Sequence, residues 1–374
     1  MPDMPNRGVV FWPVGCGDSI TLVIDDETII QIDLHHCAEA ESEDDDRAPI
    51  IDRLLEILPE RDGRPYLAAF GVTHLDQDHV LGFARLLDEV TIGDLWFTPR
   101  IFWEQDQDEL SEDAKAFVKE AERRISAIKE NDEVDSGDRV RIIGYMDAVK
   151  DSYDDVPEEA ITVPGTAFTA VDGVDLEGVF RAFVHAPFEE DGEGERNDTS
   201  FALQVTLSSD VDEDLRVLLL GDLGYPTLKK IFERSEDVDL EWDVLLAPHH
   251  CSKKAMYERE DGRDVLRRDI LDAFEAAASE DATIVASSTT IPSSDTDGAN
   301  PPHRKAANRY EDTAPNFVVT ADVSPEVIAF APGADGPVAL DADVVAESSV
   351  LGAAIALGRG AAKPAGKRVG FGDR

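Results

Sequence analysis

The chain has 374 residues, of which 42% are hydrophobic, enough to build a buried core and too many for a disordered protein. Eighty acidic residues against 35 basic ones give a formal charge of −45, which is typical of proteins adapted to high salt and argues against broad wrapping of nucleic acid. The three cysteines are too widely spaced for a disulfide framework or a thiolate zinc site. No apolar run approaches the ~20 residues of a membrane span, and the start MPDMPNRGVVFW does not resemble a signal peptide. We therefore expect a cytoplasmic protein without membrane insertion.

Periodicity and turn signals predict a chain in which strands and helices alternate. Apolar, β-rich runs predict strands, and apolar residues at steps of three and four predict helices. The predicted strands are 19–24, 28–32, 66–72, 92–97, 140–145, 179–185, 201–207, 216–220, 243–247 and 283–286, and the predicted helices are 50–58, 80–90 and 109–128, with another opening at 300–303.

The segment His74-Leu75-Asp76-Gln77-Asp78-His79 places two imidazoles and two carboxylates directly after a predicted strand. If the strand stops near Thr73, side chains two apart project to the same side, so His74 and Asp76 can bind one ion. Asp78 and His79 can bind a second as the chain turns into a helix. Nitrogen and carboxylate ligands suit Zn²⁺ or Mn²⁺. The alternative is an acidic loop with two solvated histidines.

The same design recurs later in the chain, where apolar strands end in polar residues of the kind that bind ligands. Strand ends that converge on one edge of a sheet make a shared site, because the strands fix the geometry and the loops supply the chemistry. These strand-end segments contain Asn197 and Ser200, Gly221-Asp222, Pro248-His249-His250-Cys251-Ser252, Ser287-Ser288 and His303.

These motifs together resemble a known family. HLDQDH is similar to the HxHxDH signature of the metallo-β-lactamase superfamily, with Asp76 at the second histidine position. That variant, with VGCGDSITL, NDTSFAL, LLLGDLG, DVLLAPHHCS and NPPHRKAANRY in order, resembles the soluble hydrolase domain of the DNA-uptake protein ComEC, here as a stand-alone chain. The resemblance implies an α/β protein with an αββα sandwich and two divalent metal ions, Zn or Mn, at one edge of the two sheets.

The resemblance also implies a domain organisation. Residues 1–330 would form the metallo-β-lactamase-fold hydrolase domain, with an acidic helical insertion at about 100–135. From 331 to 374 the composition shifts to Ala, Gly and Pro, which predicts a flexible tail.

Site roles follow from the resemblance residue by residue. His74 and Asp76 would bind the first metal, Asp78 and His79 the second, and Asp222 would bridge the two. The histidine ligand that the family has near the end of its motif series would be either His249 or His250, and not both, because adjacent strand-end residues point opposite ways. We favour His249, with His250 as a supporting or substrate-binding group. The implied catalytic residues are Asp78 and Asp222, and the implied structural support for the metal loop is Asp33.

The chain departs from the family pattern at three places. The block before the bridging aspartate offers Asn197 and Ser200 where many members have a histidine, so either can ligate weakly or contact substrate. The glycine-bearing turn after Asp33 is replaced by Leu34-His35-His36-Cys37, whose histidines either face the site or lie on a loop. Cys251 stands where the late motif usually has glycine.

The predicted function is a metal-dependent phosphodiesterase or nuclease that uses a metal-bridging hydroxide. Cations beside the motifs, at Lys253, Lys254 and next to His303, could dock a phosphate of a phosphodiester or nucleic-acid substrate. One alternative is a hydrolase of a small molecule, such as a cyclic nucleotide, lactone or other ester. Another is a non-catalytic regulatory module that binds metal.

Overall fold

The computed structural model describes residues 4–102, 110–131, 134–145, 156–191, 196–209, 213–333 and 338–339. Strands in this part of the chain are short and frequent, as the sequence predicts. They are β1 (Gly8–Phe11), β2 (Ile20–Val23), β3 (Ile29–Ile32), β4 (Leu34–His35), β5 (Glu60–Arg61), β6 (Arg64–Gly71), β7 (Thr91–Phe97), β8 (Arg139–Ile143), β9 (Ile161–Thr162), β10 (Ala167–Phe168), β11 (Ala170–Val171), β12 (Val174–Asp175), β13 (Phe180–Ala186), β14 (Ala202–Leu207), β15 (Leu215–Leu219), β16 (Trp242–Leu246), β17 (Tyr257–Glu260), β18 (Arg263–Leu266), β19 (Ala278–Ala286), β20 (Asn316–Val319), β21 (Ile328–Ala331) and β22 (Val338–Ala339).

Helices of seven residues or more lie between the strands. They are α1 (Ile50–Ile57), α2 (Phe83–Glu89), α3 (Glu112–Glu130), α4 (Tyr225–Arg234), α5 (Arg268–Ala277) and α6 (Arg304–Thr313). Shorter helical turns cover Gln77–Val80, Asp237–Leu240 and Thr320–Val323. No helix in the described residues is both long enough and apolar enough to cross a lipid bilayer.

Within the described residues, two large sheets share one pattern of strand direction. The ten-stranded sheet runs β22-β21-β1-β2-β3-β6-β7-β8-β9 with β5 beside β6, and the seven-stranded sheet runs β10-β13-β14-β15-β16-β19-β20. In the first sheet, β1, β2 and β3 pair antiparallel. The strands β3, β6, β7, β8 and β9 follow in that order and pair parallel. In the second, β13 to β15 pair antiparallel, and β15, β16, β19 and β20 pair parallel.

Three hydrophobic clusters show how the layers stack. The first joins the outer face of the ten-stranded sheet to α1, α2 and α3. The second lies between the two sheets, where Leu22, Ile30 and Tyr66 pack with Val205, Val217 and Val244. The third joins the outer face of the seven-stranded sheet to α4, α5 and α6. The layers therefore run helix, sheet, sheet, helix, and the predicted αββα class is confirmed.

Helix α3 illustrates why the outer layers form. Its apolar residues recur at helical spacing, and Ala114, Phe117, Ala121 and Ile125 are all buried against the sheet. Ser111 caps the helix by accepting a hydrogen bond from the amide of residue 114 at 3.2 Å. The amphipathic helix predicted at 109–128 is thus present, shifted by two or three residues at each end.

The helix predicted at 80–90 is interrupted. Gly82 adopts φ 97°, a left-handed conformation that ends one helical turn and starts α2 in a new direction. Asp113 from α3 then accepts hydrogen bonds from the backbone N–H groups of Gly82 and Ala84 at 3.0 and 2.9 Å. Spacing alone missed this break because the apolar residues on both sides of the glycine still fit one helical stripe.

The C-terminal region lies mostly outside the described residues. The predicted tail begins at residue 331, and of that segment the structure describes 331–333 and 338–339. Here β22 pairs with β21 through Phe330↔Ala339 and Ala331↔Val338, so the sheet continues beyond the predicted boundary.

Candidate metal centre

Strand ends from both sheets deliver the polar residues to one place. In the first sheet Asp33 follows β3 and His74 follows β6, and in the second Asp222 follows β15 and His249 and His250 follow β16. Four buried residues, Asp18, His79, Asp222 and His250, each place one ligand-type atom within 4.8 Å of the others. A cluster of two imidazoles and two carboxylates at this spacing could hold a divalent cation.

His79 is held by carboxylate and hydroxyl groups behind it. Its Nδ1 lies 2.8 Å from Asp33 Oδ2. Asp33 also accepts hydrogen bonds from the amide and the hydroxyl of Thr73, at 2.7 and 2.8 Å, so it ties the first turn of the loop to the ring. A ring that donates from Nδ1 to a carboxylate leaves the Nε2 lone pair facing the cluster.

His250 also lies beside a carboxylate, that of a residue which the sequence analysis did not single out. Asp18, 3% exposed, places Oδ1 3.3 Å from Nδ1 of His250. It comes from the turn between β1 and β2, and its own amide donates to the carbonyl of Asp78 at 3.1 Å. The signal for it was the Gly17-Asp18 turn before a buried strand, but a turn aspartate by itself has too many ordinary explanations.

The two rings meet at a spacing that fits a metal ion. Nε2 of His79 lies 3.2 Å from Nε2 of His250. Two ligand atoms on a tetrahedral zinc, each at ~2.0–2.1 Å, lie about 3.3 Å apart. Both Nδ1 atoms face carboxylates, so in the neutral rings the two Nε2 lone pairs would point at each other, and a cation between them would remove that repulsion. The residues present therefore fit a divalent ion.

Asp222 lies at the centre of the cluster, with its side chain 2% exposed. Its Oδ1 lies 3.3 Å from His79 Nε2 and 3.5 Å from His250 Nε2. Its Oδ2 lies 3.4 Å from His249 Nε2 and 3.9 Å from His74 Nε2. One carboxylate thus faces two pairs of imidazoles, one pair with each oxygen.

Both His249 and His250 lie near Asp222, although the expectation that only one of them binds a metal assumed that adjacent residues point opposite ways. His249, His250 and Cys251 adopt left-handed backbone conformations, with φ of 51°, 53° and 65°. The alternation of an extended strand therefore does not apply to them, and the turn projects both rings towards Asp222. Left-handed backbone costs an L residue roughly 1–2 kcal/mol, so the surrounding packing must hold this turn in place.

The ionisable side chains of the cluster strongly shift one another's pKa values. Burial by itself would raise the pKa of Asp222, but the neighbouring His250 and His79 hold that pKa well below its usual range. Burial opposes protonation of the two rings, yet Asp222 raises the pKa of both well above the ordinary histidine value, assisted by Asp33 at His79 and by Asp18 at His250. The site thus favours positive charge at its centre. His249 differs, because burial lowers its pKa to about 4.

Asp76 and Asp78 lie at the mouth of the cluster, with side chains 31% and 37% exposed. Asp78 Oδ2 is 3.3 Å from Nε2 of His250, and Oδ1 is 4.0 Å from Nε2 of His79. Asp76 Oδ2 is 3.7 Å from Nε2 of His74, while its Oδ1 pairs with Nε of Arg196 at 3.2 Å. All the histidine and aspartate ligands named from the sequence thus lie in one cluster around Asp222.

Two further residues named from the sequence also lie beside the cluster. Asn197 donates to Asp222 Oδ2 across 3.5 Å, and Ser200 Oγ is 3.3 Å from His74 Nδ1. The two histidines of the Leu34-His35-His36-Cys37 segment have different surroundings. His35 packs against Gly17, where a Cβ would overlap its ring, and burial lowers its pKa to about 4. His36 turns away and contacts Glu41 at 3.1 Å.

The cations named from the sequence are largely engaged elsewhere. Lys253 Nζ pairs with Asp264 at 3.0 Å, and Lys254 is exposed. The ring of His303 lies between two backbone groups, with Nδ1 3.3 Å from the amide of Lys253 and Nε2 3.1 Å from the carbonyl of Ala299. The structure therefore gives His303 a role in bracing the loop and does not bring it to the cluster.

Proteins similar to this chain are found among solved structures. No sequence model of a known family matches the chain, and no curated protein matches it. Among solved structures, the chain is similar to the metallo-beta-lactamase fold protein YhfI from Bacillus subtilis, with 12% identity and a TM-score of 0.39, over 86% of this chain and 99% of that one. It is also similar to Zn²⁺-bound PqqB from Methylobacterium extorquens, with 12% identity and a TM-score of 0.27, over 61% of this chain and 58% of that one.

Proposed function

We propose that the chain is a metal-dependent hydrolase of the metallo-β-lactamase superfamily that cleaves phosphodiesters. The observation that carries the proposal is the arrangement around Asp222, where each carboxylate oxygen faces two imidazole Nε2 atoms within 3.3–3.9 Å. A carboxylate in this position can bridge two cations a few ångströms apart, which is the spacing of two-metal hydrolytic sites.

The two proposed sites divide the ligands between them. His79, His250 and Asp78 surround Oδ1 of Asp222, and the residues around Oδ2 are His74, Asp76 and His249. Behind these ligands, Asp33 lies 2.8 Å from Nδ1 of His79 and Asp18 lies 3.3 Å from Nδ1 of His250, and a proton on each Nδ1 would leave Nε2 available. Two divalent ions, Zn²⁺ or Mn²⁺, would lower the pKa of a bound water towards neutrality and so supply a nucleophile.

The chain's own residues would then orient the substrate. Asp76 and Asp78 are the most exposed of the proposed ligands and lie at the mouth, where a substrate oxygen can approach. Asn197 and Ser200 lie deeper, beside Asp222 and His74, and can donate hydrogen bonds to a non-bridging phosphate oxygen.

The electrostatics favour a small or single-stranded substrate over duplex DNA. The formal charge of −45 repels a long polyanion. The sequence indicated a basic surface beside the late histidines, but Lys253 and Lys305 both pair with Asp264, at 3.0 and 2.8 Å. A small phosphodiester, such as a cyclic nucleotide or dinucleotide, carries fewer negative charges than a duplex, so the negative charge of the chain repels it less.

The test combines metal content with turnover. Purified protein is loaded with Mn²⁺ or Zn²⁺, its metal is counted by mass spectrometry, and hydrolysis is followed on single-stranded DNA, duplex DNA and bis(p-nitrophenyl) phosphate. We expect two ions per chain and cleavage of the small diester. Asp222→Asn should lose metal and activity together, while Asp297→Asn, at an exposed position, should retain both.

Each result bears on a different part of the proposal. Cleavage of duplex DNA at rates similar to the small diester would make the protein a nuclease despite its charge. Two bound ions without turnover of any phosphodiester would refute the substrate class and leave a lactone, another ester or a regulatory role. Full activity in Asp222→Asn would refute the bridging role.

A further inference from the structure

The two proposed metal positions differ in the charge of the groups that surround them. We name them the Oδ1 position and the Oδ2 position, after the oxygen of Asp222 that each one faces. Each has two imidazoles and one carboxylate at the mouth, which are His79, His250 and Asp78 around Oδ1, and His74, His249 and Asp76 around Oδ2. The ligands therefore match in type and number. Groups behind the ligands can still make the two positions differ in affinity for a cation.

Carboxylates lie behind the imidazoles of the Oδ1 position. Asp33 Oδ2 is 2.8 Å from Nδ1 of His79, and Asp18 Oδ1 is 3.3 Å from Nδ1 of His250. Both aspartates are buried, so salt and water screen them less than they screen surface charges. A carboxylate behind a metal-binding imidazole makes that ring a more basic ligand and adds negative charge near the ion. The surroundings of the Oδ1 position therefore favour a bound cation.

The groups behind the imidazoles of the Oδ2 position are uncharged. Nδ1 of His74 faces two hydroxyls, with Thr73 Oγ1 at 3.1 Å and Ser200 Oγ at 3.3 Å. Within the part of the chain that the structure describes, Nδ1 of His249 has no hydrogen-bond partner. The imidazoles on this side therefore lack the negative charge that lies behind those of the Oδ1 position.

A cation of the chain itself contacts the carboxylate of the Oδ2 position. Arg196 Nε lies 3.2 Å from Asp76 Oδ1, while Asp76 Oδ2 faces Nε2 of His74 at 3.7 Å. Because a guanidinium stays charged at every working pH, Arg196 reduces the negative charge that Asp76 offers to a metal ion. Asp78, the matching carboxylate of the Oδ1 position, pairs among the described residues with imidazoles and not with a lysine or arginine.

The contact between Arg196 and Asp76 has little to do for the stability of the fold. The two side chains are 28% and 31% exposed, and ion pairs at such exposure contribute little to the free energy of unfolding. A chain with 80 acidic residues against 35 basic ones nevertheless places a cation beside a candidate metal ligand. Because substitution of Arg196 should leave the fold intact, its effect on metal binding can be measured separately.

We propose that Arg196 restrains the affinity of the Oδ2 position for a divalent cation, so that the two ions bind in order, first at the Oδ1 position and then, more weakly, at the Oδ2 position. The inference rests on the proposed function for the presence of two ions, and it adds the residue that makes them unequal. Occupancy of the Oδ2 position then depends on the concentration of free metal, whereas the Oδ1 position fills at a lower concentration.

Stepwise metal binding can be tested without turnover. Metal-free protein is titrated with Mn²⁺, and free Mn²⁺ is measured by electron paramagnetic resonance, which gives the number of bound ions and the affinity of each step. In the wild type we expect the first ion to bind at least about 10-fold more tightly than the second, because charged groups behind ligands change metal affinity by this much or more. Asp78→Asn should weaken mainly the first step and Asp76→Asn mainly the second.

Variants of Arg196 separate its charge from its hydrogen bond. Arg196→Gln removes the charge and keeps an N–H donor, so the second ion should bind about 10-fold more tightly while the first is unchanged. Arg196→Lys keeps the charge and should behave like the wild type. Lys229→Gln removes an exposed cation on α4 and should change neither step. Chemical denaturation of the metal-free variants checks that each one is folded.

The outcomes distinguish this inference from the proposed function. Equal affinities for the two ions in the wild type would overturn the inference and leave the proposed function standing. A weaker second ion in Arg196→Gln would also overturn it, because Arg196 would then orient Asp76 for the metal. Unequal binding that Arg196→Gln levels, without turnover of any phosphodiester, would keep the inference and reject the phosphodiesterase. Fewer than two ions in every variant at saturating Mn²⁺ would reject both.

Discussion

A chain of buried polar side chains behind the candidate metal centre gives the sharpest test of how the fold supports the site. Trp12 Nε1 donates to Thr21 Oγ1 at 2.8 Å, and Thr21 Oγ1 lies 2.6 Å from Gln31 Oε1. Gln31 Nε2 then donates to the backbone carbonyl of Asp33 at 2.7 Å. Gln31 is fully buried on a strand that otherwise reads Ile-Ile-x-Ile, so a leucine would fit the pattern better.

The structure gives the size of the effect of Gln31→Leu. The substitution leaves the Thr21 hydroxyl without its acceptor and the Asp33 carbonyl without its donor, each at a cost of about 1–3 kcal/mol. Partial recovery from apolar burial reduces the expected loss in the free energy of unfolding to about 2–4 kcal/mol. Asp33 has φ 56° and holds His79, so metal affinity should also fall, by about 10-fold, the lower end of the range for groups behind a ligand.

Thr21→Val is the matched control, because it breaks the same chain one bond earlier and leaves the contact between Gln31 and Asp33 in place. Stability is measured by chemical denaturation with chelator present, and metal affinity by competition with a chromogenic chelator. Both variants should lose similar stability, but only Gln31→Leu should lose metal affinity. Equal metal affinities in the two variants would refute the reasoning.

Three further predictions concern stability. Burial lowers the pKa of His185 to about 4, against 6.5 in the unfolded chain, so the unfolded state binds the proton first as pH falls. The free energy of unfolding should therefore drop by up to about 3 kcal/mol between pH 6.5 and 4. In His185→Gln the free energy of unfolding should depend less on pH over this range, and an unchanged pH dependence would contradict the prediction. In Gly17→Ala the new Cβ overlaps the His35 ring, so the melting temperature should fall. Adding His35→Ala to this variant should partly restore the melting temperature. An unchanged melting temperature in Gly17→Ala would show that the turn can shift. The charge of −45 predicts that the melting temperature rises from 0.1 to 2 M salt, and a decrease would exclude adaptation to salt.

The sequence predicted the alternating strands and helices and the ligand types because both leave local patterns, whereas the αββα layering was implied by the family resemblance. Apolar strands that end in histidine or aspartate can be recognised without coordinates, and they indicated His74, His79 and Asp222. The geometry of the late histidines could not be predicted, because three successive left-handed residues without glycine contradict backbone propensity and are held only by tertiary packing. Asp18 was missed for a related reason. Its partner, His250, is more than 200 residues away, and a single aspartate in a turn carries no long-range signal.

The cations beside the histidine pair show a different difficulty. The sequence offered several cations next to recognisable motifs, and proximity along the chain favoured Lys253 and its neighbours. Pairing in space decides which cations can meet a substrate, and Asp264, which contacts both Lys253 and Lys305, lies on a separate hairpin formed by β17 and β18. No local pattern connects that hairpin to the site.

The division of the cluster between the two sheets has a consequence for unfolding. His74 and His79 come from the first sheet and Asp222, His249 and His250 from the second, so a bound ion would cross-link two halves that also pack through the apolar layer between them. Such a cross-link makes separation of the sheets and release of metal one event. Metal-loaded protein should therefore unfold in a single cooperative transition, while chelated protein should allow one sheet to loosen before the other, with a shallower denaturation curve.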